Sequence, residues 1–209
     1  MKTHSYAVLA LVAVALAGLA IPYGQATHSP ANKVAVAAST LDVLNAPLGA
    51  EGSSSTVETL LSGSMKTSSP TDLLLRVSLE CTIWTNVTTV GNDDSRSAAT
   101  VSVWIEIDGT PVGVNAADGT GGKVVFCDRS YQRVTSLFDD EDATIQTFLR
   151  TRSAHSFEWI SLNTGSGEHD IVVKAQLDVQ VAGTGGVQAV VGKRTLVAEP
   201  TRLANDVTV

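Results

Sequence analysis

The sequence predicts an all-β fold, an antiparallel two-sheet β-sandwich that is jelly-roll-like rather than immunoglobulin-like. Three observations carry that expectation. Three long segments alternate apolar and polar residues with a period of two, which puts every second side chain on one face of a strand. Glycine-rich tetrads such as Gly119-Thr120-Gly121-Gly122 and Gly183-Thr184-Gly185-Gly186 punctuate the chain as turns. Only Glu141 to Arg152 resembles a helix, and its Thr144, Ile145, Thr147 and Phe148 suit a strand equally well.

Residues 1–26 read as a secretory signal peptide. Lys2 lies in a short polar start, Ala7 to Ile21 is an unbroken apolar run, and Pro22-Tyr23-Gly24-Gln25-Ala26 supplies a helix breaker and small residues for cleavage after Ala26. As a helix that run rises about 22 Å, short of the roughly 30 Å needed to span a bilayer. The expected location is therefore outside the cell, with no membrane attachment after cleavage.

Residues 27–65 form an Ala/Ser/Thr/Gly-rich lead-in, expected to be partly flexible, in which Val34 to Leu44 and Thr56 to Leu61 could form short strands. The disulfide-stapled sandwich is expected over 66–209. Leu73, Leu75, Val77, Leu79, Cys81 and Ile83 alternate with Arg76, Ser78, Glu80 and Thr82. Val101, Val103, Ile105 and Ile107 repeat the pattern up to the turn Asp108-Gly109-Thr110-Pro111. Ile171, Val173, Ala175, Leu177, Val179 and Val181 form the third clear run. Weaker strands fit at Val112 to Asn115, Lys123 to Val134, Ala154 to Asn163 and Val187 to Ala198.

Cys81 and Cys127 are the only cysteines, and in an exported chain an even count points to one structural disulfide. An immunoglobulin domain places a Trp about a dozen residues after its first cysteine and a Tyr two before its second. Here Trp84 comes too early, Trp104 too late, and Val125 stands where the Tyr belongs. The stretch Gly167-Glu168-His169-Asp170-Ile171-Val172-Val173 resembles the closing hairpin of many secreted jelly-roll and other β-sandwich modules, which implies the fold and transfers no site.

The chain has 209 residues and a formal net charge of −7, which excludes the clustered basic surface that nucleic acids require. His155 and His169 are the histidines of the expected domain, and no Gly-x-Ser-x-Gly elbow or other nucleophile signature accompanies them. Both fall where surface or hairpin histidines are ordinary. Glu80, Glu106 and Glu158 lie on outward strand positions, and the chain has only three Trp, three Tyr and four Phe, too few for a ring-lined sugar-cleaving cleft. No enzyme activity is expected.

The residues that stand out are Trp84 and Trp104, large rings on the polar parity of their strands, which point either to packing under a covering segment or loop or to ligand or subunit contact. Asp139, Asp140, Glu141 and Asp142 are the candidate calcium ligands, and calcium is the one cofactor considered. Asn86-Val87-Thr88 matches the N-glycosylation acceptor triplet. The expected function is a secreted binding or self-assembling module with an extracellular glycan, protein or second copy as partner. The alternative is a carbohydrate-active protein, lectin-like or weakly hydrolytic.

Overall fold

The computed structural model describes residues 31–40, 42–44, 51–90, 94–114, 120–134 and 144–203. The signal peptide, the acidic run 139–142 and the last residues lie outside them. All regular structure among the described residues is β: β1 (Ala35–Ser39), β2 (Asp42–Leu44), β3 (Gly52–Thr67), β4 (Thr71–Val90), β5 (Asp94–Ile107), β6 (Thr110–Pro111), β7 (Val124–Val134), β8 (Thr144–Thr164), β9 (Gly167–Ala182) and β10 (Thr184–Thr201).

The strands form two antiparallel sheets. One has the order β1-β10-β4-β8 with β2 beside β10, and the other has β3-β9-β5 with β6 and β7 beside β5. The pairing is nested: β1 with β10, β3 with β9, β4 with β8 and β5 with β7. That is a long folded-over hairpin, the jelly-roll order, and it differs from the immunoglobulin arrangement.

The alternating residues of β4, β5 and β9 all turn inward as their parity requires. Leu75, Val77, Val101, Val103, Ile105, Val173 and Leu177 are fully buried between the sheets, and each such side chain stabilises by about 1.5–3 kcal/mol. Trp159 anchors the core. Its ring stacks on Phe126 at 6.3 Å and meets Phe157 edge-on at 5.0 Å, and its Nε1 donates to the Gly122 carbonyl at 2.7 Å. Gly122 has φ 74°, and a Cβ there would lie 1.8 Å from the Val112 carbonyl oxygen.

The sheets begin at Ala35 rather than at residue 66. Most of the lead-in's Ser- and Thr-rich stretch is strand β3, which pairs with β9 from Gly52↔Val181 to Thr67↔Gly167. Ala37 of β1 packs over Gly63 of β3, and Asn32 N donates to the Lys66 carbonyl, so this side of the sandwich is covered. The segment of helical appearance, as far as it is described, is strand from Thr144 onward. Residues 112–114 of the expected strand over 112–115 are not strand; the strand forms just before them as β6, where Asp108 and Gly109 at φ 52° and 79° make a tight hairpin turn that pairs Ile107 with Thr110.

The two sheets are joined by the Cys81–Cys127 disulfide between β4 and β7. On the same side Arg129 donates to Thr151 Oγ1, and Arg133 donates to Thr147 Oγ1 at 2.6 Å. Opposite, Arg194 is 4% exposed and ties β10 to two neighbours, donating to the Leu60 carbonyl at 2.9 Å and pairing with Asp42.

Candidate functional site

The two outward tryptophans fare differently. Trp104 sits on the outer face of β5 and is only 6% exposed. Its Nε1 donates to Glu106 Oε1 at 3.0 Å, Lys174 Nζ holds Glu106 Oε2 at 2.7 Å, and Lys123 Nζ lies 4.8 Å above the ring. The hydrogen bond from Lys174 holds the Glu106 carboxyl below its ordinary range. Lys123 continues the chain of contacts to Gln176, which donates to Asp178. Trp104 is therefore internal to a polar network, which accords with packing rather than ligand contact, although the cover is lysine and not a loop: the long aliphatic stems of lysine cover apolar surface while their charged ends stay polar.

Trp84 remains half-buried on the outer face of β4, and Arg150 of β8 lies over its ring at 5.4 Å. In the β4–β8 register Trp84 faces Arg150, and Asn86 faces Phe148. Phe148 is 68% exposed, the most open large apolar side chain among the described residues. Trp84, Asn86, Phe148 and Arg150 thus share one patch. Asn86 Oδ1 is buried without a hydrogen-bond partner, and its carbonyl accepts from Ser97 Oγ at 3.0 Å. Phe148 and Arg150 escaped sequence reading because they lay in the segment whose helix or strand character was ambiguous.

The patch borders a long open edge. β8 runs for 21 residues and pairs with β4 alone among the described residues. It contains no Pro, Lys or Gly, and Thr144 to Phe157 contains no acidic residue. Its pairing from Leu73↔Ser161 to Val90↔Thr144 has no bulge. Of the usual protections of an edge strand it keeps only the charges of Arg150, Arg152 and Glu158.

A second constellation lies at the far end of the sandwich. His169, expected on a surface or hairpin position, is buried at the start of β9. Its Nδ1 stands 2.7 Å from Asp108 Oδ2 and its Nε2 2.9 Å from the Gly165 carbonyl. Asp108 also accepts from Asp170 N at 2.9 Å, and Thr67 Oγ1 donates to Gly165 O at 2.5 Å. Both ring nitrogens face acceptors, so the imidazolium satisfies both bonds. Asp108 is the main cause that raises the histidine's pKa, and His169 in turn lowers that of Asp108. Thr67, His169 and Asp108 stand in line, with Thr67 Oγ1 3.3 Å from Nε2, but the Gly165 carbonyl lies closer to the same nitrogen and also takes the Thr67 hydroxyl. A shallow cleft of ≈ 460 Å³ opens beside it, walled by Ile107, Pro111, Val112, Ile160 and Leu162.

The candidate calcium ligands Asp139, Asp140, Glu141 and Asp142 lie outside the described residues. Among the described residues no three His, Cys, Asp or Glu side chains gather as a metal site would need.

No protein family and no curated protein matches the sequence. Three solved structures are similar to it at low level. One is infectious bursal disease virus Gx strain, at 12% identity over 81% of this chain and 41% of that one, TM-score 0.19. The VP2 subviral particle of the same virus shows 14% identity over 84% and 44%, TM-score 0.18. The TmCBM61 module in complex with β-1,4-galactotriose shows 14% identity over 84% and 92%, TM-score 0.13. The chain spans less than half of either viral chain. The class of protein is defined by the strand pairing itself: an antiparallel β-sandwich with one disulfide between its sheets.

Proposed function

We propose that this chain is a secreted, non-enzymatic β-sandwich that works as an extracellular self-assembling module, adding a strand of a second copy to the edge of β8 that is unpaired among the described residues. The observation that carries this reading is that edge, 21 residues long, bulge-free over its pairing with β4 from Leu73↔Ser161 to Val90↔Thr144, and without lysine or proline. Its unpaired backbone groups offer the main-chain hydrogen bonds that strand addition uses. Charge selects the mate. Pairing β8 with itself about Thr151 would set Arg150 opposite Arg152, a like-charge contact that destabilises. An edge other than β8, on a chain of net charge −7, avoids it. The disulfide supports an extracellular setting, because such bonds persist in oxidising compartments. The occupied nitrogens of His169 support the non-enzymatic reading.

Light scattering on the chain lacking residues 1–26 tests the assembly. The expected result is a mass that rises above the monomer with concentration, and returns to monomer in Gln146→Lys/Ala154→Lys, which places guarding charges on β8. A monomer at every concentration overturns it.

The exposure of Phe148 beside Trp84 favours a second reading, a carbohydrate binder on the outer face of β4 and β8. A glycan array would then show binding that Trp84→Ala loses and Trp104→Ala, at a sealed ring, keeps. Absence of binding by the unaltered protein ends that reading.

A further inference from the structure

We infer that Asn86 is a site of N-linked glycosylation whose first amino sugar packs on the ring of Phe148, a modification independent of strand addition at β8. Asn86-Val87-Thr88 is the single Asn-x-Ser/Thr triplet in the chain. Asn86 lies on the outer face of β4. Its Oδ1 is buried without a partner while the residue as a whole is partly exposed, which leaves Nδ2 as the amide atom to carry a sugar. The carbonyl of Asn86 is held by Ser97, which fixes the backbone from which the side chain departs.

The surroundings of that nitrogen suit a sugar. Directly across on β8 is Phe148, an exposed ring with no aromatic or cationic partner of its own among the described residues. Directly across on β10 is Gly186, where an added Cβ would meet nothing within 4 Å. The ring of Trp84, two residues before Asn86 on the same face, is already under Arg150. A pyranose leaving Nδ2 thus has open space on one side and an apolar floor on the other. The axial C–H bonds of a sugar carry partial positive charge, and they are attracted to the negative face of an aromatic ring. Phe148 would then be covered rather than left in water.

The chemistry is transfer from a lipid diphosphate-linked oligosaccharide, catalysed by a transferase of the export route. A bond forms between Nδ2 and C1 of the sugar, the bond from C1 to the phosphate oxygen breaks, the lipid diphosphate leaves, and the amide gives up one proton.

The test is secretion of the full chain from a eukaryotic cell line, followed by intact-mass measurement and peptide mapping. An endoglycosidase then trims the glycan to one N-acetylglucosamine, and melting is compared with Asn86→Gln. The expected result is a glycan on Asn86 and a melting temperature about 3 °C above the Gln variant, a gain that disappears in the Phe148→Ala background. Phe148 is exposed, so its truncation leaves the fold intact, and Phe148→Tyr should restore the gain. An unmodified Asn86, or an equal gain with and without the ring, overturns the inference.

Discussion

Replacing Asp108 by Asn tests how the far end of the sandwich is held. Asn tolerates the φ of 52° at this turn and still offers an oxygen to Asp170 N, so the substitution removes charge and little else. A hydrogen bond to a charged group contributes about 1.5–3 kcal/mol, against about 0.5–1.5 for a neutral one. Asp108 is 51% exposed, so solvent screens part of that difference, and about 1 kcal/mol remains. For a domain of this size that is a melting shift of about 2–4 °C. The pKa of His169 is raised, so its contribution is fully present below the unfolded value of about 6.5 and is lost as pH rises through the folded one. The pKa of Asp108 is lowered, so its contribution is present above about 3.9 and is lost as pH falls through the folded value. The wild-type advantage over Asp108→Asn therefore peaks between about pH 4 and 6.5 and shrinks toward pH 9. Thermal melts of both proteins from pH 4 to 9 measure it. A difference that stays constant from pH 5 to 9 would refute the charged pair.

Other perturbations follow from the same structure. Cys81→Ser/Cys127→Ser opens a loop spanning a sequence separation of 46. By chain entropy this costs about 4 kcal/mol, which urea unfolding of the variant would show as a lowered midpoint. Arg194→Ala leaves the Leu60 carbonyl without its donor, while Asp42, about half exposed, is screened by solvent, so a loss of about 1–3 kcal/mol is expected in the same assay. Gly122→Ala should fail to fold or melt far lower, because its Cβ would collide with the Val112 backbone and displace the carbonyl that receives Trp159. Near-ultraviolet circular dichroism, which reads the packing of Trp159, checks that outcome.

Strands whose alternation is unbroken were plain from the residues, and strands with bulges were not. β4, β5 and β9 keep one parity, and their inward residues could be named one by one. In β10 the register shifts between Val191 and Arg194, so Ala189 and Val191 face the core on odd positions and Leu196 and Ala198 on even ones. A reader following one parity sees that strand as weak. β3 shifts in the same way between Thr59 and Leu61, and its inward positions before the shift include Ser54 and Thr56, which is why it passed for a loose lead-in. The candidate site was half legible. The polar parity of both tryptophans was right, yet parity says only which face a side chain takes. What covers that face, Lys123 in one case and Arg150 in the other, depends on strands far away in the chain. The pairing of His169 with Asp108 was hidden for the same reason.

The nested order of the strands also sets when each part of the molecule can form. The innermost pair joins Asp94 to Val134, the next joins Val90 to Thr144, the third joins Gly52 to Val181, and the outermost joins Ala35 to Ala198. Closing a long loop costs entropy before its contacts are gained, so folding starts within β5 and β7 and works outward. β3 and β1 are synthesised first, yet they dock only after β9 and β10 exist. The sheet of β3, β9, β5 and β7 has all its strands once β9 is made, the other waits for β10, and slow refolding is the kinetic signature of such distant pairings.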